Sequence, residues 1–193
     1  MNGMKKGIGA REALGLLKKG NDRYVRENAR GDTGPERRLE TARNGQAPFA
    51  AVICCSDSRS IPEAVFACGI GDLFVIRVAG NVIDDHQLGS VEYAADHLGV
   101  RLVVVLGHTH CGAVEAAIHH DPDGYVKTIT DEVLRSIGNE TDPLRAACLN
   151  AEGSVRRIEE SLGIRKHESE DGLAVLPAVL DIETGRVRFL KEL

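Results

Sequence analysis

Five side chains in this sequence have the types and spacing for metal chemistry. Residues 54–59 read CCSDSR, placing a thiol, a carboxylate and a guanidinium on alternate positions: Cys55, Asp57 and Arg59. Residues 107–114 read GHTHCGAV, with His108 and Cys111 three apart. Two readings compete for the first stretch. Asp57 and Arg59 could pair with each other and leave Cys55 an idle buried thiol. Alternatively, Cys55 and Asp57 face one metal ion, and Arg59 decides whether the carboxylate stays there. A His-x-x-Cys spacing alone is common by chance. Combined with Cys-x-Asp, it completes a set of two thiolates, an imidazole and a carboxylate, which suits tetrahedral Zn²⁺. Mg²⁺ and Ca²⁺ prefer all-oxygen shells and fit poorly.

Four protein ligands would close a zinc site, whereas catalysis needs an open position. A guanidinium two residues from Asp57 can take its carboxylate in a bidentate pair. Zinc would then rest on Cys55, His108 and Cys111, with water in the fourth position. Zinc lowers the pKa of such water to about 7 and supplies a hydroxide nucleophile, which Asp57 could orient. Two thiolates leave zinc richer in electrons than three imidazoles would, so activity is expected to rise above neutral pH. A cysteine phosphatase loop does not fit, because Arg59 lies five positions after Cys54 and four after Cys55.

These groups need strand ends to position them. PFAAVICC (48–55), LFVIRV (73–78) and LVVVLG (102–107) are short apolar runs of the kind found in buried parallel strands. Cys55 closes the first and His108 follows the third. Ligand sites in open parallel sheets lie beyond the carboxyl ends of the strands. Helices are expected over 10–28, around 36–43 and over 88–98, where Gly99 ends the run. Another starts at Asp142-Pro143, an N-cap followed by proline, and runs to Gly163. Residues 119–142 read as irregular and polar, and 165–172 as charged loop. Residues 173–190 read as two strands about a Glu183-Thr184-Gly185 turn. Pro177 suggests an edge strand or a bulge. The fold class is α/β, with a mostly parallel sheet flanked by helices.

The 193 residues suit a single domain, with 1–47 as a helical arm and 48–193 as the α/β core. A net charge of −5 without a basic run argues against nucleic acid. The opening MNGMKKGIGA lacks the apolar segment of a secretory signal, and no apolar stretch approaches a bilayer span. A cytoplasmic location is expected. Five cysteines at uneven spacing speak against a disulfide framework, so the thiols stay reduced. Cys148 and Cys54 read as packing thiols, as does Cys68, and Asn81 as turn chemistry. His110 reads as a solvated or interface histidine that could shuttle protons. His119-His120 reads as a polar helix end, and His86, His97 and His167 have no evident partner.

The ordered motifs resemble the β-class carbonic anhydrases. The likeness is carried by Cys55-x-Asp57-x-Arg59 and His108-x-x-Cys111, and by GNDRYV, GDLFVIRVAGN, LGSVEYAADHLGV and VLDIETGRVRFL. The resemblance implies a zinc lyase that reversibly hydrates CO₂ to bicarbonate. Zinc would lie on Cys55, His108 and Cys111, with Asp57 as fourth ligand or hydroxide partner and the Asp57–Arg59 pair as gate. It also implies a homodimer or tetramer, with the N-terminal helix lying on the partner. Three departures stand out, one being His110, where relatives tend to have a small or acidic residue. Ala67-Cys68-Gly69 replaces a glutamine that many bacterial relatives carry, and 119–142 matches the family poorly. Alternative functions are hydrolysis of a CO₂-like molecule such as COS or CS₂, and a non-catalytic binding protein with a closed zinc site.

Overall fold

The computed structural model describes residues 7–119 and 124–193. Its centre is a five-stranded sheet: β1 (Ala50–Cys54), β2 (Leu73–Arg77), β3 (Leu102–His108), β4 (Ala174–Leu180) and β5 (Val187–Phe189), in the order β2-β1-β3-β4-β5. All neighbours are parallel except β4 and β5. The expected α/β class is what the chain adopts.

The apolar runs become strands because both faces of the sheet are covered. Successive side chains point to opposite faces. Val52, Cys54, Val104 and Leu106 therefore meet Leu14 and Leu17 of α1 (Ala10–Glu27). Ala51, Ile53, Val103 and Val105 meet the other layer. That layer holds α4 (Asp85–His97), α7 (Pro143–Glu159) and α8 (Leu162–Asp171). Each valine, leucine or isoleucine among them contributes roughly 1.5–3 kcal/mol on burial. The inner face of α1 thus lies in the core of its own chain, whereas α2 (Pro35–Asn44) buries no residue. The short α3 (Pro62–Val65) follows β1.

Four expectations need correction. Residues 119–142 are not irregular throughout: α5 (Gly112–Ile118) is followed by α6 (Val126–Ile137). Ile129, Thr130, Val133 and Ile137 form a helical stripe, and Val133 and Ile137 pack with Val114 and Ala146 in a third cluster. His119 does follow a helix end, while His120 lies outside the described residues. The helix from Asp142 ends at Glu159 rather than running to Gly163. Residues 165–172 belong largely to α8, whose Ser161 N-cap accepts from the Ile164 N–H at 3.2 Å. Nor is Pro177 at an edge or bulge: β4 runs in register between β3 and β5. Its carbonyl accepts from Leu190 on the β5 side at 2.9 Å. The donorless nitrogen faces that same side, just past the end of the three-residue strand, so the pairing with β3 is untouched.

Candidate metal centre

β1 and β3 are adjacent and parallel, with Cys54 opposite Leu106. Cys55 comes immediately after β1, and His108 is the last residue of β3. Cys111 is the N-cap of α5. Register and helix start together bring the two sulfurs and an imidazole nitrogen within 4.8 Å of one another, all three residues buried. Neither thiol is in a disulfide. His108 Nδ1 lies 2.9 Å from the Thr109 carbonyl, which leaves Nε2 buried without a hydrogen-bond partner. A buried orphan nitrogen costs about 1–3 kcal/mol unless something binds it. Soft donors, short separations and that orphan nitrogen fit zinc.

The electrostatics of the bare site point the same way. Hydrogen bonding from Cys111 outweighs burial and holds the Cys55 thiol well below its ordinary pKa, helped by the Gly80 N–H at 3.3 Å. The Cys55 thiolate and burial push Cys111 up, only partly offset by the Val114 and Ala113 amides of α5. Burial penalises the imidazolium of His108, yet the Cys55 sulfur beside it keeps the pKa raised. The cluster therefore holds protons that a divalent cation would displace.

Asp57 stands beside this cluster, with Oδ2 4.0 Å from His108 Nε2. Its carboxylate is engaged by Arg59 in a fork: Nε donates to Oδ1 at 2.9 Å and Nη2 to Oδ2 at 2.7 Å. The Arg59 backbone N–H adds a bond to Oδ1 at 2.9 Å. The Arg59 fork is the main reason the Asp57 pKa lies below the usual carboxylate range. Arg59 Nη2 also donates to the His110 carbonyl at 3.1 Å, tying the first loop to the second.

Two supports were not singled out from sequence. Arg77 ends β2 and donates to the carbonyls of Asp57 at 2.8 Å, Ser60 at 3.0 Å and Cys55 at 3.3 Å, clamping the loop after β1. Its signal was an arginine closing an apolar run. The other support is the Gly80 amide, whose turn (Ala79–Asn81) has no sequence signal beyond Gly-Asn. The remaining candidates lie outside the cluster. His110 is exposed, with Nε2 3.3 Å from Glu183. Cys68 and Cys54 are packed, and burial pushes each thiol up to about 12. Cys148 is half-buried beside Arg188. Asn81 is buried in its turn at φ 46°. His167, without an evident partner in sequence, lies 2.6 Å from both Asp96 and Asp171.

The family model for carbonic anhydrase matches residues 50–187. Carbonic anhydrase 2 of Mycobacterium tuberculosis is 43% identical over 126 residues, covering 63% of this chain and 61% of that protein. The carbonic anhydrase of Mycolicibacterium smegmatis is 45% identical over 127 residues, with the same coverage of 63% and 61%. The match thus spans about three fifths of these relatives' length. Among solved structures, the β-carbonic anhydrase CafA of Aspergillus fumigatus superposes with a TM-score of 0.74 at 27% identity, over 93% of this chain and 89% of that one. A tetrameric β-carbonic anhydrase of Sordaria macrospora gives 0.70 at 28% identity, over 81% and 92%. The family model takes in β1 to β4 and the whole metal cluster, and the same architecture recurs in β-class proteins of known structure, so this chain belongs to the β-class carbonic anhydrase family.

Proposed function

We propose that the protein is a zinc lyase that reversibly hydrates CO₂ to bicarbonate and a proton, with Cys55, His108 and Cys111 holding the metal. The observation that carries this reading is the buried Cys55–His108–Cys111 cluster with an Asp57–Arg59 fork at its edge. Bound there, zinc supplies Lewis acidity that makes water a competent nucleophile near neutral pH. The chain does the rest. Arg59 holds the Asp57 carboxylate off the cluster and keeps one side of it free. Asp57, kept ionised, accepts a hydrogen bond from the attacking water and orients its lone pair toward the carbon of CO₂. That oxygen adds to carbon, one C–O π pair moves onto oxygen, and the proton released passes to solvent. Val82 and Val114 wall the cluster and exclude competing water. A purely structural zinc site has no use for the Asp57–Arg59 fork, which disfavours the closed-site alternative.

We further infer self-association and a cytoplasmic setting. Support for the first is the tetrameric state of the Sordaria macrospora relative and the exposed Leu39 of α2, a helix that buries nothing in its own chain. For the second, all five cysteines are free thiols, as suits a reducing compartment.

The test is stopped-flow hydration of CO₂ by protein of measured zinc content, with COS and CS₂ run in parallel. Rapid CO₂ turnover, faster at pH 8.5 than at pH 7, is expected. Zinc at one per chain with turnover of CS₂ or COS alone would move the function to that substrate. Zinc with no turnover of any of the three would leave a closed binding site.

A further inference from the structure

Asn150 and Ser154 sit one turn apart on α7, on its buried face, at 1% and 5% exposure. Buried polar side chains in a helix that otherwise presents alanine, valine and isoleucine need partners. Both donate into the same tight turn. Asn150 Nδ2 donates to the Gly80 carbonyl at 2.7 Å, and Ser154 Oγ to the Asn81 carbonyl at 3.0 Å. The Asn81 N–H closes the turn onto the Val78 carbonyl at 3.0 Å. The same turn aims the Gly80 N–H at the Cys55 sulfur, 3.3 Å away. On its other side it is walled by Ala113 of α5 and by Ile129 and Val133 of α6.

We propose that Asn150 and Ser154 are positioning residues for the metal: by gripping the turn at 79–81 they hold the Gly80 N–H on the Cys55 sulfur. This rests on the reading of Cys55 as a metal ligand. An N–H···S bond stabilises charge on the sulfur and fixes the direction of its lone pairs. Partners of this outer kind typically account for about 10–100-fold in metal affinity. The two side chains never touch the metal or the reacting atoms. They act through two consecutive carbonyls of a turn whose central residue lies at φ 69°, so a small rotation there swings the N–H away from the sulfur.

The experiment compares wild type, Asn150→Ala, Ser154→Ala, Ser154→Thr and Val155→Ala, each reduced and in its native assembly. Val155 is on the same helix but packs in the sheet-facing cluster. Two readouts are taken: zinc affinity by chelator competition, and the sulfur-to-metal charge-transfer band of the Co²⁺-substituted protein. Asn150→Ala is expected to bind zinc at least tenfold more weakly, with the band moved to longer wavelength as the sulfur loses its donor. Ser154→Ala moves both in the same direction by less, and Ser154→Thr, which keeps the hydroxyl, restores them. Val155→Ala lowers the melting temperature and moves neither. If Asn150→Ala does not fold, the Ser154 pair decides. Wild-type affinity and an unmoved band in the folded Asn150 or Ser154 alanine variants would overturn the proposal, as would an equal change in Val155→Ala. A wild type whose cobalt spectrum shows no thiolate band takes the metal reading down with it, a result distinct from either.

Discussion

Replacing Gly80 by alanine tests the turn beside the cluster with a magnitude the structure sets. Gly80 lies at φ 69°, ψ 12°. An L-residue held there costs about 1–2 kcal/mol. The added Cβ would stand 3.1 Å from the Ala113 Cβ, 3.4 Å from Val133 Cγ2 and 3.5 Å from Ile129 Cγ2. Comfortable carbon contacts lie near 3.5–4.0 Å, so α5 or the turn must shift, at about 1–3 kcal/mol. Alanine also stiffens the unfolded chain, which returns about 0.4–1 kcal/mol. The net loss is about 1.5–4 kcal/mol, a large share of the roughly 5–15 kcal/mol typical of a domain. The assay is urea unfolding of reduced, metal-free protein at fixed concentration, followed by far-ultraviolet circular dichroism. With a slope near 2 kcal/mol per molar, the midpoint should fall by about 1–2 M. Gly89→Ala is the internal control. Gly89 is exposed within α4 and a Cβ there meets nothing within 4 Å, so the same chemical change should stabilise by about 0.5–1 kcal/mol. Equal effects at the two glycines, or a Gly80→Ala midpoint within error of wild type, would refute the reasoning.

Three other outcomes are expected. Arg59→Ala should keep its zinc yet lose at least tenfold in CO₂ hydration, because Asp57 is no longer held off the cluster; Asp57→Ala should also lose activity, and metal analysis beside stopped-flow rates checks both. Val133→Ala removes two buried methyl groups' worth of contact from the cluster around Cys55 and Cys111, so it should cost about 2–3 kcal/mol in urea unfolding. His167 lies between Asp96 and Asp171, which raise its pKa in the folded state, while Arg101 and burial oppose and Lys166 stands nearby. A raised folded pKa means the stabilisation is complete below the unfolded pKa of about 6.5 and is lost as pH rises through the folded value. Wild type should therefore exceed His167→Gln in melting temperature most at pH 6, with the gap narrowing as pH rises past that value; a gap that widens with pH would count against the clasp.

What could be read from the sequence follows from where local pattern decides. β1 and β3 are buried on both faces, so their runs were unbroken and easily seen, and ligand types at their ends gave the metal cluster. The α6 stripe was hidden by HHDPDG before it, which reads as a breaker, and by charged residues between Ile129, Val133 and Ile137. α8 was harder still: among its residues only Ile164 is buried, and a serine cap and the His167 contacts fix it in place. Pro177 misled because its missing donor matters only if a neighbour needs it, which depends on how far β5 extends. Asn150 and Ser154 could not be read at all. Their partners lie 70 and 73 residues away, and an asparagine and a serine four apart on a helix carry no mark of which carbonyls they will meet.

Everything proposed for this chain turns on Cys55, His108 and Cys111 holding the metal. Zinc K-edge X-ray absorption on the zinc-loaded protein, beside Cys55→Ser, tests it most directly. Zinc held by these residues shows two sulfurs at about 2.3 Å, one imidazole nitrogen at about 2.0–2.1 Å and a further light atom, with one sulfur lost in Cys55→Ser. A wild-type zinc shell with no sulfur, or with an unchanged sulfur count in Cys55→Ser, would contradict it.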